Sequence, residues 1–211
     1  MNNNSLRIKS QIKCILDTLE NLYPTIETAL SYKTPHELLF AVILSAQTTD
    51  LQVNKVTKTL FKKYKKIEDY AKVDVFDFQK DISSIGLYRA KAKNIIASAK
   101  MLLDKHNGKV PREMDELIML PGVGRKTANV VLSALYGINE GIAVDTHVKR
   151  LSQKYGLSKH SDPAEIERDL MKIIPQNEWG NFALRLIQYG RDYCPANCKK
   201  CPNCPLWKCV I

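Results

Sequence analysis

Apolar residues recur every three or four positions along most of the chain, the spacing expected of helices that bury one face. The first such segment spans 6–22 and is ended by Pro24; its repeating apolar positions are Ile8, Ile12, Ile15, Leu19 and Leu22. No segment shows the alternation of apolar and polar residues that is typical of a half-buried strand. Helical spacing continues in 35–46, 51–64, 67–71, 75–82, 89–106, 113–119, 125–136, 146–154, 162–174 and 179–189. The pattern predicts an all-α protein.

The helix predicted over 35–46 differs from the others because its apolar run, 38–44, is continuous rather than periodic. A helix that is apolar on most sides is buried on most sides, so this segment is expected at the centre of the fold. Small polar residues at 45–50 interrupt the run, and Thr49 or Asp50 is suited to cap the next helix.

A short turn joins the helices predicted over 113–119 and 125–136. Pro121 ends the first helix, and Gly122 and Gly124 allow backbone conformations with positive φ. Because both glycines lack a Cβ atom, a ligand can approach the bare backbone, and the N–H groups that open the second helix are suited to bind an anion. Such a turn suits a phosphate group.

The second helix of this pair begins with two cations, Arg125 and Lys126, at the end where the helix dipole favours acidic residues. Two positive charges at this position are expected to meet an external anion. The pattern is equally consistent with a solvated basic turn above a buried helix, because a short Gly-x-Gly match is weak evidence by itself.

The charge of the chain favours a polyanionic partner. Its 211 residues carry a formal charge of +10 with a pI near 9.3, and 45% of them are hydrophobic, as in globular proteins. A nucleic acid fits better than a membrane, because no segment approaches the roughly 20 apolar residues of a membrane-spanning helix. The first residues lack the apolar core of a targeting segment, so a cytoplasmic protein is expected.

Five of the six cysteines lie within the last eighteen residues. In a reducing compartment such a cluster is expected to hold metal rather than to form disulfides. Four thiolates suit zinc or a four-iron cluster, and compact, staggered cysteines with prolines favour iron–sulfur. Cys14, in the first helix, is expected to be a core residue. The spacing leaves two ligand sets open, namely Cys194, Cys201, Cys204 and Cys209, or Cys198 with the last three.

Taken together, several motifs resemble endonuclease III of the helix-hairpin-helix DNA glycosylases over nearly the whole chain. They are Leu-Pro-Gly-Val-Gly-Arg-Lys-Thr-Ala at 120–128, Val-Asp-Thr-His-Val at 144–148, the segments 44–50 and 85–88, and the terminal cysteines. A monomer is expected by default, because nothing in the sequence indicates an oligomer interface, and the resemblance implies two α-helical domains. One is a six-helix barrel over 29–139 with the hairpin at 113–136, and the other is an iron–sulfur cluster domain made from both chain ends, 1–28 and 140–211.

The same resemblance implies a bifunctional DNA N-glycosylase and abasic-site (AP) lyase of base excision repair, which removes oxidised or ring-saturated pyrimidines. Lys126 matches the lysine that attacks the sugar and forms a Schiff base, after which β-elimination cuts the strand 3′ to the abasic site. Desolvation and the charge of Arg125 are expected to favour the neutral amine that this attack requires. Asp145 matches the essential aspartate, and it is also a suitable N-cap for the next helix.

Other residues match positions of the family that contact DNA, and the implied partner is double-stranded DNA with a damaged base or an abasic site. Gln47 and Leu87 match the side chains that fill the space left by the displaced base. Without the resemblance, a buried Leu87 would be the simpler interpretation. The further implied contacts are Leu120, Gly122, Gly124, Arg125, His147, Lys199 and Lys200.

The resemblance implies one 4Fe-4S cluster as cofactor, held by Cys194, Cys201, Cys204 and Cys209. The family spacing is Cys-x6-Cys-x2-Cys-x5-Cys, and the first three cysteines follow it. Cys209 arrives one residue early and Cys198 is additional. Cys198 is therefore an alternative ligand.

Two other functions compete with this interpretation. A glycosylase of the adenine-mismatch type would lack the hairpin lysine and carry an additional C-terminal domain, whereas Lys126 is present and the chain ends at Ile211. A non-catalytic DNA-binding module would use the hairpin only to hold phosphates, and it would have no need of Asp145. These two residues favour the glycosylase and lyase.

Overall fold

The computed structural model describes residues 3–197 and 204–210, and within these ranges it contains helices and loops without a β-strand. The predicted all-α fold is confirmed. The α-helices are α1 (Asn3–Leu22), α2 (Pro35–Ser45), α3 (Asp50–Lys63), α4 (Ile67–Lys72), α5 (Val75–Asp81), α6 (Tyr88–His106), α7 (Met114–Ile118), α8 (Arg125–Tyr136), α9 (Thr146–Lys154), α10 (Pro163–Ile173) and α11 (Trp179–Asp192). Short 3₁₀ helices, which were not predicted, span Gln176–Glu178 and Pro205–Cys209.

Most helix ends lie within one or two residues of their predicted positions, because the capping side chains can be read from the sequence. Thr34, Thr49 and Asp162 each accept a hydrogen bond from a backbone N–H in the first turn of the helix that they precede. Only α1 and α11 are three residues longer than predicted. No helix in the described part of the chain is long and apolar enough to cross a membrane.

The chain divides into two compact units. One is continuous, Thr28–Ile138, and the other joins the two ends of the chain, Met1–Glu27 and Asn139–Ile211. Each boundary lies one residue from the position predicted from the resemblance.

The core of the 28–138 unit is built around α2. Every residue of 38–44 is at most 7% exposed, so the expectation of a central helix from the continuous apolar run is confirmed. This helix contacts α3, α6 and α8. The side chains of Phe40, Tyr64, Tyr70 and Phe78 form a chain of ring contacts in the same core.

In the other unit, α1 packs against α10, α11 and the 3₁₀ helix Pro205–Cys209. The buried guanidinium of Arg185 donates to the carbonyl oxygens of Tyr23 (3.1 Å) and Pro24 (3.5 Å). A disulfide joins Cys14 to Cys209, with a Cα–Cα distance of 5.5 Å. Cys14, which was expected to be a core residue, is only half-buried and is bonded to Cys209, because the packing of α1 on the C-terminal segment brings a second sulfur to it.

Candidate functional site

The hairpin consists of α7, the turn 119–124 and α8, and its turn is anchored in the core by apolar side chains. Leu120 and Val123 are buried, and the Val123 N–H donates to the Leu120 carbonyl oxygen at 3.0 Å. Leu120 as a whole is only 1% exposed, so its side chain is not available to a ligand. The anchoring leaves the glycines between and beside these two residues at the surface.

Gly122 and Gly124 present their backbone in different ways. Gly122 has φ +82°, and a Cβ atom there would lie 2.9 Å from Nδ2 of Asn94. Gly124 is the N-cap of α8, and a Cβ atom there would meet nothing within 4 Å. A glycine N-cap has no side-chain acceptor for the N–H groups of the first turn, so the start of α8 is open to an external anion.

Arg125 and Lys126 form the first turn of α8, and both are exposed. The predicted pair of cations at a helix N-terminus therefore faces outward beside the open backbone of Gly124. Since Lys126 is exposed, the described residues of the chain do not supply the desolvation that was expected to favour its neutral amine.

Asp145 is the N-cap of α9, as predicted. Its Oδ1 accepts hydrogen bonds from the backbone N–H groups of His147 (2.9 Å) and Val148 (2.8 Å). Among the described residues no group donates to its other oxygen, Oδ2. One oxygen of this half-buried carboxylate thus fixes its position at the positive end of a helix dipole, and the second is available to a ligand.

His147 lies in the first turn of α9 and its ring packs against α11. A Cβ atom at Gly190 would lie 2.7 Å from Nδ1 of His147, so the close approach requires glycine at this position. Nδ1 is buried and has no hydrogen-bond partner among the described residues. The contact with α11 orients the ring next to the Asp145 cap.

Two exposed turns of the 28–138 unit carry residues in the left-handed region of φ, Gln47 (φ +53°) and Leu87 (φ +59°). The Leu87 side chain is 61% exposed, so the simpler interpretation of Leu87 as a buried residue is wrong. The turns touch each other, since a Cβ atom at Gly86 would lie 3.4 Å from the Gln47 carbonyl oxygen. An apolar side chain held outward in a strained conformation is suited to contact a partner.

Sequence reasoning missed Lys91, which is buried in α6 with its ammonium group against the Gln47 turn. The available signal was its position. Lys91 lies four residues before the buried Ile95, on the face of the helix that the apolar pattern assigns to the core.

Cys194 and Cys204 are buried cysteines of the unit that joins the two chain ends. The Cys194 sulfur lies 3.1 Å from Nζ of Lys154 and 3.6 Å from Nη1 of Arg150. Burial acts to raise the pKa of the Cys194 thiol, but the hydrogen bonds and charges of Lys154 and Arg150 outweigh it, and the pKa is lowered from its ordinary value. These surroundings stabilise a thiolate, the form in which cysteine binds metal.

The rest of the predicted ligand set does not match this pattern. Cys209 is bonded to Cys14, so in this structure its sulfur is not available as a thiolate. Cys198, Lys199, Lys200 and Cys201 lie outside the described residues. Among the described residues no three or more His, Cys, Asp or Glu side chains are grouped to hold a metal ion. Of the predicted ligands in the described residues, Cys194 therefore lies in surroundings that suit a thiolate centre, and Cys209 suits one only after reduction.

Comparison with known proteins identifies the family. Residues 40–176 match the model of the HhH-GPD superfamily base excision DNA repair proteins. The chain is 50% identical to endonuclease III of Bacillus subtilis over 93% of its own length and 90% of that protein. It is also 50% identical to endonuclease III of Synechocystis sp., over 91% and 88% of the two chains. The chain belongs to the endonuclease III family of this superfamily.

Solved structures of the endonuclease III family agree with this assignment. A non-covalent endonuclease III–DNA complex superposes with a TM-score of 0.90 at 50% identity, covering 96% of this chain and 94% of that one. A trapped covalent endonuclease III–DNA intermediate superposes with a TM-score of 0.89 at 51% identity, over 95% and 94% of the two chains. The protein is a bifunctional DNA glycosylase and AP lyase of base excision repair, rather than a binding module or an adenine-mismatch enzyme.

Proposed function

We propose that the protein removes oxidised or ring-saturated pyrimidines from double-stranded DNA, with Lys126 as nucleophile, and then cuts the strand 3′ to the abasic site. One observation carries the assignment of Lys126. It is exposed in the first turn of α8, directly after a glycine turn whose backbone is open to a phosphate. A related endonuclease III has been trapped as a covalent intermediate with DNA, which supports a nucleophile of this kind.

The reaction begins when the Lys126 amine, without its proton, attacks C1′ of the damaged nucleotide. The C1′–N bond to the base breaks as the C1′–Nζ bond forms, and the departing base takes up a proton. The bond between C1′ and the ring oxygen then breaks, and this oxygen takes up the proton that the nitrogen loses. The product is a Schiff base between Lys126 and the opened sugar. The Schiff base acidifies the hydrogens at C2′, so loss of a proton there expels the 3′ phosphate by β-elimination.

Asp145 contributes charge at the second helix terminus. Positive charge develops on the sugar as the base leaves, and a fixed carboxylate stabilises it without having to reorganise. The cap supports this role, because Oδ1 is held by two N–H groups while no described group donates to Oδ2. Asp145 and the first turn of α9 are therefore proposed to act as one preorganised unit with His147 beside them.

The remaining DNA contacts follow from exposure and charge. The N–H groups beside Gly122 and Gly124 and the Arg125 guanidinium bind phosphates, while Gln47 and Leu87 fill the space left by the displaced nucleotide. The charge of +10 supports a strong dependence of DNA binding on salt. Lys199 and Lys200 are proposed as further phosphate contacts of the monomer.

We also propose one 4Fe-4S cluster, held by Cys194, Cys201, Cys204 and Cys209. When bound, such a cluster would supply a compact structural centre beside a DNA-contacting segment. Arg150 and Lys154 donate to the Cys194 sulfur, and they would neutralise part of the negative charge of this thiolate.

Counting iron and sulfide per chain in single Cys→Ser variants tests this ligand set. The change at Cys209 should lower the iron content, and the changes at Cys14 and Cys198 should not. Loss of iron in the Cys198 variant together with retention in the Cys194 variant would make Cys198 the ligand instead.

Borohydride trapping on a duplex with one thymine glycol tests the nucleophile and the substrate class together. The wild type should form a covalent adduct that disappears in Lys126→Ala and persists in Lys105→Ala, an exposed lysine of α6. An adduct that survives in Lys126→Ala would assign the nucleophile elsewhere. Trapping on an abasic site but not on thymine glycol would overturn the proposed lesion class and leave the lyase intact.

A further inference from the structure

Lys91 is 4% exposed, although it carries a charge. Its Nζ donates to the carbonyl oxygen of Leu44 (2.8 Å), the carbonyl oxygen of Ala46 (2.5 Å) and Oγ1 of Thr48 (3.1 Å). All three acceptors belong to the C-terminal end of α2 and the turn that follows it. A single ammonium group therefore spans the segment in which Gln47 adopts its left-handed conformation.

A buried ammonium group is costly unless its surroundings compensate for the lost hydration. Burial lowers the pKa of Lys91, and among the described residues no carboxylate pairs with it. Compensation comes from the three acceptors and from the C-terminal end of the α2 dipole, where a cation is favoured. An apolar side chain would fill the same space without the free-energy cost of burying a charge. The role of the charge is therefore to hold the acceptors at the end of α2 and in the turn after it.

The same residue is tied to the second exposed turn. Its backbone N–H donates to the Leu87 carbonyl oxygen at 3.1 Å, in the first turn of α6. The two turns are also linked directly, because Nε2 of Gln52 donates to Oγ of Ser84 at 2.8 Å and Gly86 lies against the Gln47 carbonyl. The backbone of Lys91 thus follows Leu87, and its side chain holds the segment around Gln47.

We propose that Lys91 is a positioning residue that holds Gln47 and Leu87 in one fixed arrangement for insertion into the DNA duplex. This inference rests on the proposed function, in which these two side chains replace the displaced nucleotide. Their exposed, left-handed conformations are unfavourable for residues other than glycine, and they persist only where the surroundings impose them. The buried Lys91 ammonium group supplies this constraint on the Gln47 turn through its three hydrogen bonds.

The assignment separates two activities of the same enzyme. Excision of a damaged base from a duplex requires the nucleotide to leave the stack, and this step depends on both inserted side chains. Cleavage of an abasic site in single-stranded DNA requires Lys126 but no insertion. Loss of Lys91 should therefore impair the first reaction much more than the second.

The test compares Lys91→Met with Lys100→Met, the same change at an exposed position of the same helix. Single-turnover excision of thymine glycol from a duplex should fall at least about tenfold in Lys91→Met, because misplaced groups cost rates of this order. Cleavage of a single-stranded abasic oligonucleotide should stay within about twofold of the wild type. Lys100→Met should behave as the wild type on both substrates.

A fluorescent base placed opposite the lesion reports insertion directly. 2-Aminopurine should brighten when the wild type binds and unstacks it, and it should brighten less with Lys91→Met. Lys91→Arg keeps a charge at the end of α2 and should recover part of the signal even if Lys91→Met folds poorly.

Equal losses on both substrates, or no loss on either, would overturn the assignment of Lys91. Absence of duplex excision in the wild type would instead overturn the proposed function.

Discussion

At the scale of single residues, the two glycines of the hairpin turn serve different needs. Gly122 is required by the fold, because its φ of +82° and its contact with Asn94 leave no place for a side chain. Gly124 has an ordinary φ of −96° and open space around it, so the fold itself would accept a methyl group there. The space at Gly124 is what a bound phosphate would use.

Gly122→Ala should destabilise the protein by about 1–2 kcal/mol from the left-handed backbone alone, with a further cost from the clash with Asn94. Gly124→Ala should change stability little and weaken DNA binding. Urea unfolding and DNA titration of both variants separate the two effects. Equal stability of the two variants would contradict the different roles assigned to them.

His36 is a residue whose environment predicts a dependence of stability on pH. Its ring packs against Phe40 and Tyr70, with centroids 6.1 Å apart in each pair. Burial lowers the pKa of His36 from its ordinary 6.5, and the charges of Glu37 and Glu68 offset only part of this effect. The unfolded chain therefore takes up a proton at this position more readily than the folded one.

The contribution of His36 is fully present above pH 6.5 and is lost as the pH falls below that value, because protonation then favours the unfolded chain. His36→Phe, which keeps a ring in the same place, should flatten the decline in the free energy of unfolding between about pH 7.5 and about pH 5.5. An unchanged slope in His36→Phe would assign the decline to other groups.

At the scale of elements, α9 shows how a helix cap and a reactive carboxylate coincide. Asp145 accepts hydrogen bonds from two N–H groups at the start of α9 through one oxygen, so its other oxygen is left to accept a hydrogen bond from a ligand. The helix is therefore both stabilised by this residue and used to orient it. A cap that is also catalytic can be dissected by substitution, because an amide caps a helix as well as a carboxylate does.

Asp145→Asn should keep the stability of the wild type and lose roughly a hundredfold or more in the rate of excision, since the charge that stabilises the reacting sugar is gone. Asp145→Ala should lose similar activity and, in addition, about 1 kcal/mol of stability. Thermal unfolding and single-turnover kinetics of the two variants measure both quantities. Full activity of Asp145→Asn would reduce this residue to a cap.

At the scale of the whole molecule, the chain closes one compact unit from its two ends. Arg185 on α11 donates to backbone carbonyls just after α1, and Cys14 of α1 is bonded to Cys209. Both tryptophans of the chain, Trp179 and Trp207, belong to this unit. Tryptophan fluorescence therefore reports the terminal unit, while helical circular dichroism reports both units.

Arg185→Met should shift the fluorescence transition in urea to lower concentration, by about 2–3 kcal/mol in stability, because carbonyls bonded to a buried charge lose their partner. The part of the helical signal that comes from the 28–138 unit should be lost at a higher urea concentration, the same as in the wild type. Leu102→Ala changes the core of the 28–138 unit. It should shift that unit's part of the helical signal to lower urea concentration and leave the fluorescence transition unchanged. A single transition in every variant would mean that the units unfold together.

The sequence by itself determined the helices and the family. Helix positions depend on periodicity and on capping residues such as Thr49 and Asp145, which are local properties of the chain. The order of the glycine turn, Lys126 and Asp145 along the chain was enough to indicate the glycosylase and lyase, because a linear order of motifs needs no tertiary contact to be read.

Tertiary structure alone decided which residues meet across the sequence. Cys14 pairs with Cys209 over a separation of 195 residues, and Lys91 reaches carbonyls more than forty residues away. Leu87 is exposed although its type favours burial, since it lies in a left-handed turn at the start of α6 that is held against the Gln47 turn. The pairing of distant segments sets these contacts, whereas the hydrophobic pattern records only which face of each segment is buried.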